Sequence, residues 1–340
     1  MPLTASNWPI AAALLQFPAV SRTGVRAQDA PAEQWRRVFD TVSRAGFDSL
    51  ELADSWVSIA DLSPSRLAEM AAVASDSGVG IPSVNIVRRS VIDADRGDEN
   101  LAYAHRMLDA SAELGIGTVC ASLHQPLSPE QKERLWFWTG QGHVDPDDEE
   151  VRRLATDRFR ELGRHADELG ILLSLELYED TYLGTSSSAV RLVEEIGLDN
   201  VGLNPDIGNL VRLHRTIEDW WEIAAATLPY ANYWHVKNYS RDEHQATSTV
   251  TAVPAYLEVG LINYREAVEF AVGAGFQGLL VCEHYGGDGL SVSAANQQYL
   301  RRILPQDDSY SLEGSRVRQL YREASGPSAP GAAFPASSRP

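Results

Sequence analysis

Cysteine is scarce. The 340 residues hold two, Cys120 and Cys282, each inside an apolar run, and there is no C-x-x-C. That excludes a disulfide framework and a thiolate-built zinc site, and it fits small buried residues in a reducing compartment. Long apolar runs are missing as well. No stretch approaches the roughly 18 apolar residues that mark a bilayer-spanning helix. Met1–Trp8 carries no basic residue ahead of the short apolar segment Ile10–Leu15, so a secretory signal is not expected and the cytoplasm is. Positive charge is in deficit, with 29 Lys and Arg against 47 Asp and Glu and a net charge of −18. An acidic surface repels nucleic acid and anionic lipid, so neither is an expected partner. A small neutral ligand stays open.

What is present is alternation. Apolar residues make up 44% of the chain, enough for a sizeable core. Ile10–Phe17 reads as a strand broken by Pro18, and Ala32–Arg44 as a helix with Trp35, Val38, Phe39 and Val42 on one face. Strands at Ser49–Leu52, Ile81–Val87 and Thr118–Leu123 alternate with helices at Ser63–Gly78 and Asn100–Leu114. The rhythm resumes with helix Glu149–Leu169, strand Ile171–Tyr178, helix Ser187–Ile196, strand Val201–Leu203, helix Thr216–Ala225 and strand Asn232–Val236. Helix Ile262–Val272, strand Gly278–Cys282 and helix Val292–Leu304 complete it. A strand–helix unit repeated about eight times without a break predicts an α/β fold, a single (β/α)8 TIM barrel over residues 8–304. The long segment 126–148, with Leu135-Trp-Phe-Trp-Thr-Gly-Gln-Gly-His143, interrupts it after the fourth strand. Its aromatics suit a binding lid, a subunit contact or an inserted short helix. His244–Val259 is a second long connection. Residues 305–340 form a C-terminal extension, with a short amphipathic helix at Arg316–Arg322 and a Pro/Ser/Gly/Ala-rich tail, 325–340, expected to be disordered or laid along a partner.

Chemistry concentrates at the ends of the last four strands. Ile171–Glu179 holds Glu176 in a run apolar enough to be buried, where an unpaired carboxylate is costly. The pattern recurs in Val201-Gly-Leu-Asn-Pro-Asp206, Tyr233-Trp-His-Val-Lys-Asn238 and Gly278-Leu-Leu-Val-Cys-Glu283. Active sites of such barrels lie at the C-terminal ends of the strands. Glu176, Asp206, His235 and Glu283 therefore converge on one candidate site. Three carboxylates, one imidazole and no thiolate suit a divalent ion of the Mn, Mg, Fe or Co kind. Such an ion can grip two oxygens of a polyol or ketose while a proton leaves carbon. The base for that step could be Glu176, Glu283 or a nearby histidine. Lys237 shares a strand face with His235 and is placed at the substrate. His124 and His284 also lie at strand ends, beside the ligands. His105, His165, His214 and His244 read as helix or loop surface residues.

Leu-Glu176-Leu, Asn-Pro-Asp206-Ile-Gly-Asn, Trp-His235-Val-Lys and Cys-Glu283-His resemble the motifs of the sugar phosphate isomerase/epimerase superfamily, the xylose isomerase-like barrels, over roughly residues 10–304. Against its ketose 3-epimerases the quartet and Arg241 match. Asn209 stands where that family has a histidine, and Tyr182 where it has a second glutamate. The α (large) subunit of the C-glycoside deglycosidases is the nearer resemblance, through Tyr233–Tyr239, the aromatic loop and His143. That resemblance implies Mn2+, with Mg2+ or Co2+ as alternatives. It also implies a small β subunit in a hetero-oligomer, and cleavage of the carbon–carbon bond between a 3-oxo sugar and an aromatic, flavonoid-like aglycone. His143, Lys237 and Glu283 would carry the catalysis. Trp136, Trp138, Arg241, His284 and Asn209 would hold the substrate. A sugar isomerase or epimerase with the same metal chemistry is the alternative. A barrel that binds carbohydrate or a partner protein without turnover is the alternative of another class.

Overall fold

A computed structural model describes residues 3–311, apart from 245 and 248, and residues 314–321. Its strands are β1 (Ile10–Ala13), β2 (Ser49–Ala53), β3 (Gly80–Asn85), β4 (Thr118–Ala121), β5 (Leu172–Glu176), β6 (Val201–Asn204) and β7 (Tyr233–Val236), then a hairpin of β8 (Asn238–His244) and β9 (Thr249–Ala255), and β10 (Leu279–Cys282). Eight of them form one sheet in the order β6-β5-β4-β3-β2-β1-β10-β7, and every laddered pair in it is parallel. Short, wholly buried, apolar strands such as Leu279–Cys282 are what a parallel sheet covered on both faces requires. The ladder stops between β6 and β7. There a single bridge, Leu203 to Ala231, is reinforced by asparagines: Asn204 accepts the His235 amide at 2.7 Å, and Asn232 donates to the Leu173 carbonyl at 3.2 Å. The result is a nearly closed (β/α)8 TIM barrel.

Among the described residues, eight helices surround it: α1 (Ala32–Arg44), α2 (Pro64–Ser77), α3 (Gly97–Glu113), α5 (Glu149–Glu168), α6 (Ser186–Ile196), α8 (Trp220–Thr227), α9 (Tyr264–Gly273) and α10 (Gly289–Ile303). The shorter α4 (Pro129–Lys132) and α7 (Ile207–Val211) sit in strand–helix connections. Local chemistry sets their ends. The Ser63 hydroxyl caps α2, Pro64 occupies its first position, and Gly78 ends it at φ +65°. Trp35, Phe39 and Val42 of α1 are buried, as their spacing predicts. No helix among the described residues is long and apolar enough to cross a membrane.

Four expectations are corrected. The first strand stops at Ala13, because the Phe17 amide turns back to the Leu14 carbonyl in a 3-10 turn. The helix placed at Thr216 starts at Trp220, where Asp219 caps it, and α7 lies ahead of it. The connection 244–259 is largely the hairpin, paired from Asn238–Ala255 to His244–Thr249. Its β-branched run Thr249-Val-Thr-Ala-Val was the available signal. Finally, 316–321 is not helical. Its amides bond outward, Arg316 to the Pro229 carbonyl and Arg318 to the Asp199 carbonyl. Val317 and Gln319 are buried, and Tyr321 packs against the apolar cluster that includes Ala11, Tyr233 and Leu279, so the segment stoppers the N-terminal mouth. Arg322 and the tail 325–340 lie outside the described residues.

Candidate metal centre

Four ligand atoms, one each from Glu176, Asp206, His235 and Glu283, lie within 4.8 Å of one another. Glu176 ends β5, Asp206 opens α7 two residues after β6, His235 is within β7, and Glu283 follows β10. His235 Nδ1 is 3.2 Å from Glu283 and 3.7 Å from both Glu176 and Asp206. Its Nε2 lies 2.9 Å from Glu51 of β2 and 2.6 Å from the Tyr233 hydroxyl. In the neutral, metal-ligating form of the ring, Nε2–H donates to Glu51 and the Nδ1 lone pair faces the three carboxylates. This is the carboxylate–histidine arrangement that orients metal-ligating imidazoles. Lys237 Nζ pairs with Asp206 at 2.7 Å and Glu283 at 3.0 Å. Gly208 makes room for it, since a Cβ there would meet Lys237 Cγ at 2.5 Å.

The charge balance asks for a cation. Glu51, Glu176, Asp206 and Glu283 are all buried, against one ammonium and one imidazole. Burial lifts the carboxyls of Glu51 and Asp206 above their ordinary range. Burial would lift Glu283 too, but Lys237 and His235 overcome it and hold that carboxyl down at about 2. Glu176 is likewise held low, by His235 against burial. Burial opposes the charge on His235 and Lys237, yet the surrounding carboxylates push both well up. Among the described residues, His235 Nδ1 and Asp206 Oδ1 are buried without a hydrogen-bond partner. Hard oxygen donors, one imidazole, excess negative charge and two orphaned acceptors fit a divalent ion.

The other predicted residues do not all join the cluster. Asn209 is in the cluster, but its amide is committed to Glu176 at 2.9 Å, the Leu177 carbonyl at 2.9 Å and Asp206 at 3.2 Å, so it brackets ligands. Trp136, Phe137 and Trp138 form a lid. Trp136 stacks on Trp138 at 5.0 Å, and Trp138 meets Tyr239 and Tyr285 edge-on, each at 5.5 Å. Gly286, at φ +82°, admits Trp136, which a Cβ would meet at 2.9 Å. Beneath the lid the wholly buried Arg212 pairs with Glu179 at 3.0 Å, its guanidinium 4.9 Å from both the Phe137 and Trp138 rings. Outside lies a cavity of about 170 Å³, lined by His143, Trp138, Tyr178, His124, Arg88 and Glu179 among others. None of the four ligands lines it, so the lid and the His124–Tyr178 wall part His143 from the quartet. His143 bonds Gln125 at 2.8 Å and stands 3.6 Å from Asp145.

Arg241 goes elsewhere. Its guanidinium donates to the carbonyls of Val211, Leu213 and Arg215 and pairs with Glu243, pinning the chain after α7 to the hairpin. His284 is half-buried and belongs to neither the quartet nor the cavity lining. Tyr182 turns its hydroxyl to the carbonyls of Pro146 and Asp148. Glu51 escaped the sequence reading, although Leu50-Glu51-Leu52 repeats the Leu-Glu-Leu signal of Glu176. The Asp145–Tyr182 and Arg212–Glu179 pairs had no such signal, each being joined only by the fold.

Known proteins repeat this architecture. The family model for the xylose isomerase-like TIM barrel matches residues 39–303. A xylose isomerase-like TIM barrel protein from Mycobacterium smegmatis, solved in complex with magnesium, is 45% identical, with a TM-score of 0.85 over 88% of this chain and 98% of that one. D-psicose 3-epimerase from Clostridium cellulolyticum H10, solved with D-tagatose, is 15% identical, with a TM-score of 0.61 over 87% of this chain and 99% of that one. A 3-keto-D-glucoside 4-epimerase from E. coli is 16% identical, with a TM-score of 0.60 over 86% and 99%. At those identities the two epimerases share the fold alone. None of the curated proteins matches the chain.

Proposed function

The chain belongs to the xylose isomerase-like TIM barrel family, and from that premise we propose that it is a divalent-metal enzyme that moves a proton on the carbon beside a sugar carbonyl. More finely, we propose that it is the large subunit of a C-glycoside deglycosidase. The observation that carries the reading is the buried quartet Glu176, Asp206, His235 and Glu283 under an aromatic lid, with His143 on the cavity side. When bound, a divalent ion supplies the positive charge that lowers the cost of removing a proton beside a carbonyl. Mn2+ is the ion we favour, with Mg2+ and Co2+ as alternatives for the same hard donor set.

The residues divide the remaining work. With the lid displaced, the sugar faces the quartet and an aryl group lies against Tyr178 and Trp138. Lys237, held charged by Asp206 and Glu283, offers a donor to a sugar oxygen. His143 Nε2 takes the C2 proton of a 3-oxo sugar and returns a proton to the departing aryl carbon. The C2–H and C1–aryl bonds break, a C1=C2 bond forms, and the aryl carbon gains hydrogen. Hydrolysis by two carboxylates, as at a C–O glycosidic bond, has no purchase on a C–C bond. Val253, Tyr256, Val259 and Leu261, exposed along the hairpin and its exit, offer an apolar face to the small β subunit.

Epimerisation or isomerisation is the second reading, favoured by a quartet that either reaction could use. Tyr182 and Asn209 weigh against 3-epimerisation, since the first is tied to backbone carbonyls and the second to the ligands. Co-purification from the native lysate separates the two, because a stoichiometric small partner supports the deglycosidase and a self-sufficient chain the epimerase. His143→Ala should cut aglycone release at least 100-fold with metal content unchanged. Retained release would remove His143 from the reaction. A chain without bound Mn2+ or Mg2+, and with nothing lost on chelation, would be a binding barrel instead.

A further inference from the structure

His124 is 95% buried by its 5% residual exposure, follows β4, and stands in the wall between the quartet and the cavity. Its ring is fixed from two sides. It stacks on Tyr178 at 4.4 Å, and its Nε2 accepts the Arg88 amide N–H at 2.9 Å. An Nε2 that accepts carries no proton, so the neutral ring keeps its hydrogen on Nδ1. Burial, and then Arg88, hold the ring's pKa down at about 3, so it stays neutral across the physiological range. Nδ1–H is buried without a partner among the described residues. A buried orphan donor is costly unless something else fills it.

Arg88 shows that the arrangement is enforced. Its backbone is left-handed at φ +58°, which a non-glycine residue adopts only under constraint. The constraint is visible: its guanidinium bonds the Gln125 carbonyl at 3.0 Å and the Tyr178 hydroxyl at 3.1 Å, and lies 4.9 Å from the Phe137 ring. The strained turn points the Arg88 amide at Nε2, which sets the tautomer and leaves Nδ1–H free. The ring lines the cavity, and Glu176 and Lys237 of the metal cluster act on it electrostatically, so His124 stands between the cavity and the quartet.

We propose that His124 is a substrate-contacting residue whose neutral Nδ1–H donates a hydrogen bond to a sugar oxygen beside the metal quartet. This rests on the sugar reading above. A neutral donor stabilises charge growing on that oxygen without giving up its proton, the role of a preorganised oxyanion donor.

The test uses the full chain loaded with Mg2+ and the probe methyl 3-oxo-glucoside. Binding, exchange of the C2 proton with D2O, metal content and the His124 Nδ1–H resonance in 15N-histidine-labelled protein are measured. Two variants separate donor from scaffold. His124→Asn places an amide near Nδ1 and abandons the Arg88 amide. His124→Gln can accept the Arg88 amide and lacks the Nδ1 donor. We expect His124→Asn to exchange within about tenfold of wild type and His124→Gln to fall by roughly 100-fold, the loss typical of one removed donor, both with unchanged metal. The reverse order overturns the proposal, since it is what a purely structural role gives. A wild-type Nδ1–H resonance unmoved by saturating probe overturns it whatever the variants do. Wild-type protein that neither binds nor exchanges the probe sinks the sugar reading and the donor with it, whereas exchange with an unmoved resonance sinks the donor alone.

Discussion

The two mouths of the barrel bury polar side chains to opposite ends. At the N-terminal mouth the amides of Gln277 and Gln319 are matched. The Gln277 backbone N–H donates to Gln319 at 2.8 Å, Gln319 donates to the Ala231 carbonyl at 2.7 Å, and Gln277 accepts the Leu3 amide at 3.0 Å. At the C-terminal mouth His235 Nδ1, Asp206 Oδ1, Asn209 Oδ1 and His124 Nδ1 are buried without partners, around surplus carboxylates. Polar groups that complete one another hold a fold together. Polar groups that converge and remain incomplete specify a ligand. Both mouths are sealed, one by residues 317–321 and the other by the Trp136–Trp138 lid; isolated neutral orphans such as Thr118 Oγ1 and Asn232 Oδ1 lie toward the first, whereas under the second the orphans gather around surplus carboxylates.

Substitutions should respect that division, and the sharpest way to break it is at the ligands. Glu176→Gln should empty the site: metal content measured on the purified chain falls to background and activity goes with it, because a neutral amide replaces a carboxylate whose charge the ion needs. A fully metallated variant would remove Glu176 from the ligand set. Glu51→Gln strikes one layer out, at the group that receives His235 Nε2–H. Losses of outer partners cost about 10–100-fold in metal affinity, and titration of the apo chain should show a drop in that range. Gln319→Ala should do the converse. Truncating a buried amide that is hydrogen-bonded through both its oxygen and its nitrogen costs about 2 kcal/mol, read as a lower midpoint in denaturant with metal affinity unchanged. If Gln319→Ala weakened the metal site as well, the two mouths would not be independent.

The same contrast explains what could be read before the fold was known. The barrel was legible because each strand–helix unit repeats a local signal. The quartet was legible because a charged residue at the end of an apolar strand is conspicuous in one dimension. Glu51 shows the limit of habit, for its strand carries the same signal and is distant in sequence from the ligands. The Arg212–Glu179 pair under the lid and the Asp145–Tyr182 contact show a physical limit. They join loops that follow different strands, and nothing local to either loop announces the meeting. Arg241 shows the opposite error. A motif position placed it at the substrate, and the hairpin after β7 turned it onto backbone carbonyls instead. The segment 316–321 has helical composition, yet neighbouring loops bid for its amides.

Asp145 offers the finest test, because it belongs to the functional mouth yet its charge is a burden on the fold. Its side chain is buried beside His143, and burial raises its carboxyl to about 6, against the Tyr182 amide that it accepts at 3.0 Å. The folded chain therefore binds that proton more tightly than the unfolded chain, whose carboxyl titrates near 3.8. Stability gained from protonation appears as pH falls through about 6 and is complete below the unfolded value; above 6 the buried carboxylate is a net cost. Asp145→Asn keeps an acceptor for Tyr182 and removes the charge. It should raise the Tm at pH 8, by a stabilisation of about 1 kcal/mol once the lost attraction to His143 is set against the relief, and the gain should vanish by pH 4. In the same variant the deglycosidase reading predicts slower turnover, since His143 loses its carboxylate partner. A variant stabler at pH 8 and slower in turnover would place the burden of Asp145 in the service of His143, whereas one stabler and equally fast would leave that carboxylate without a part in the chemistry.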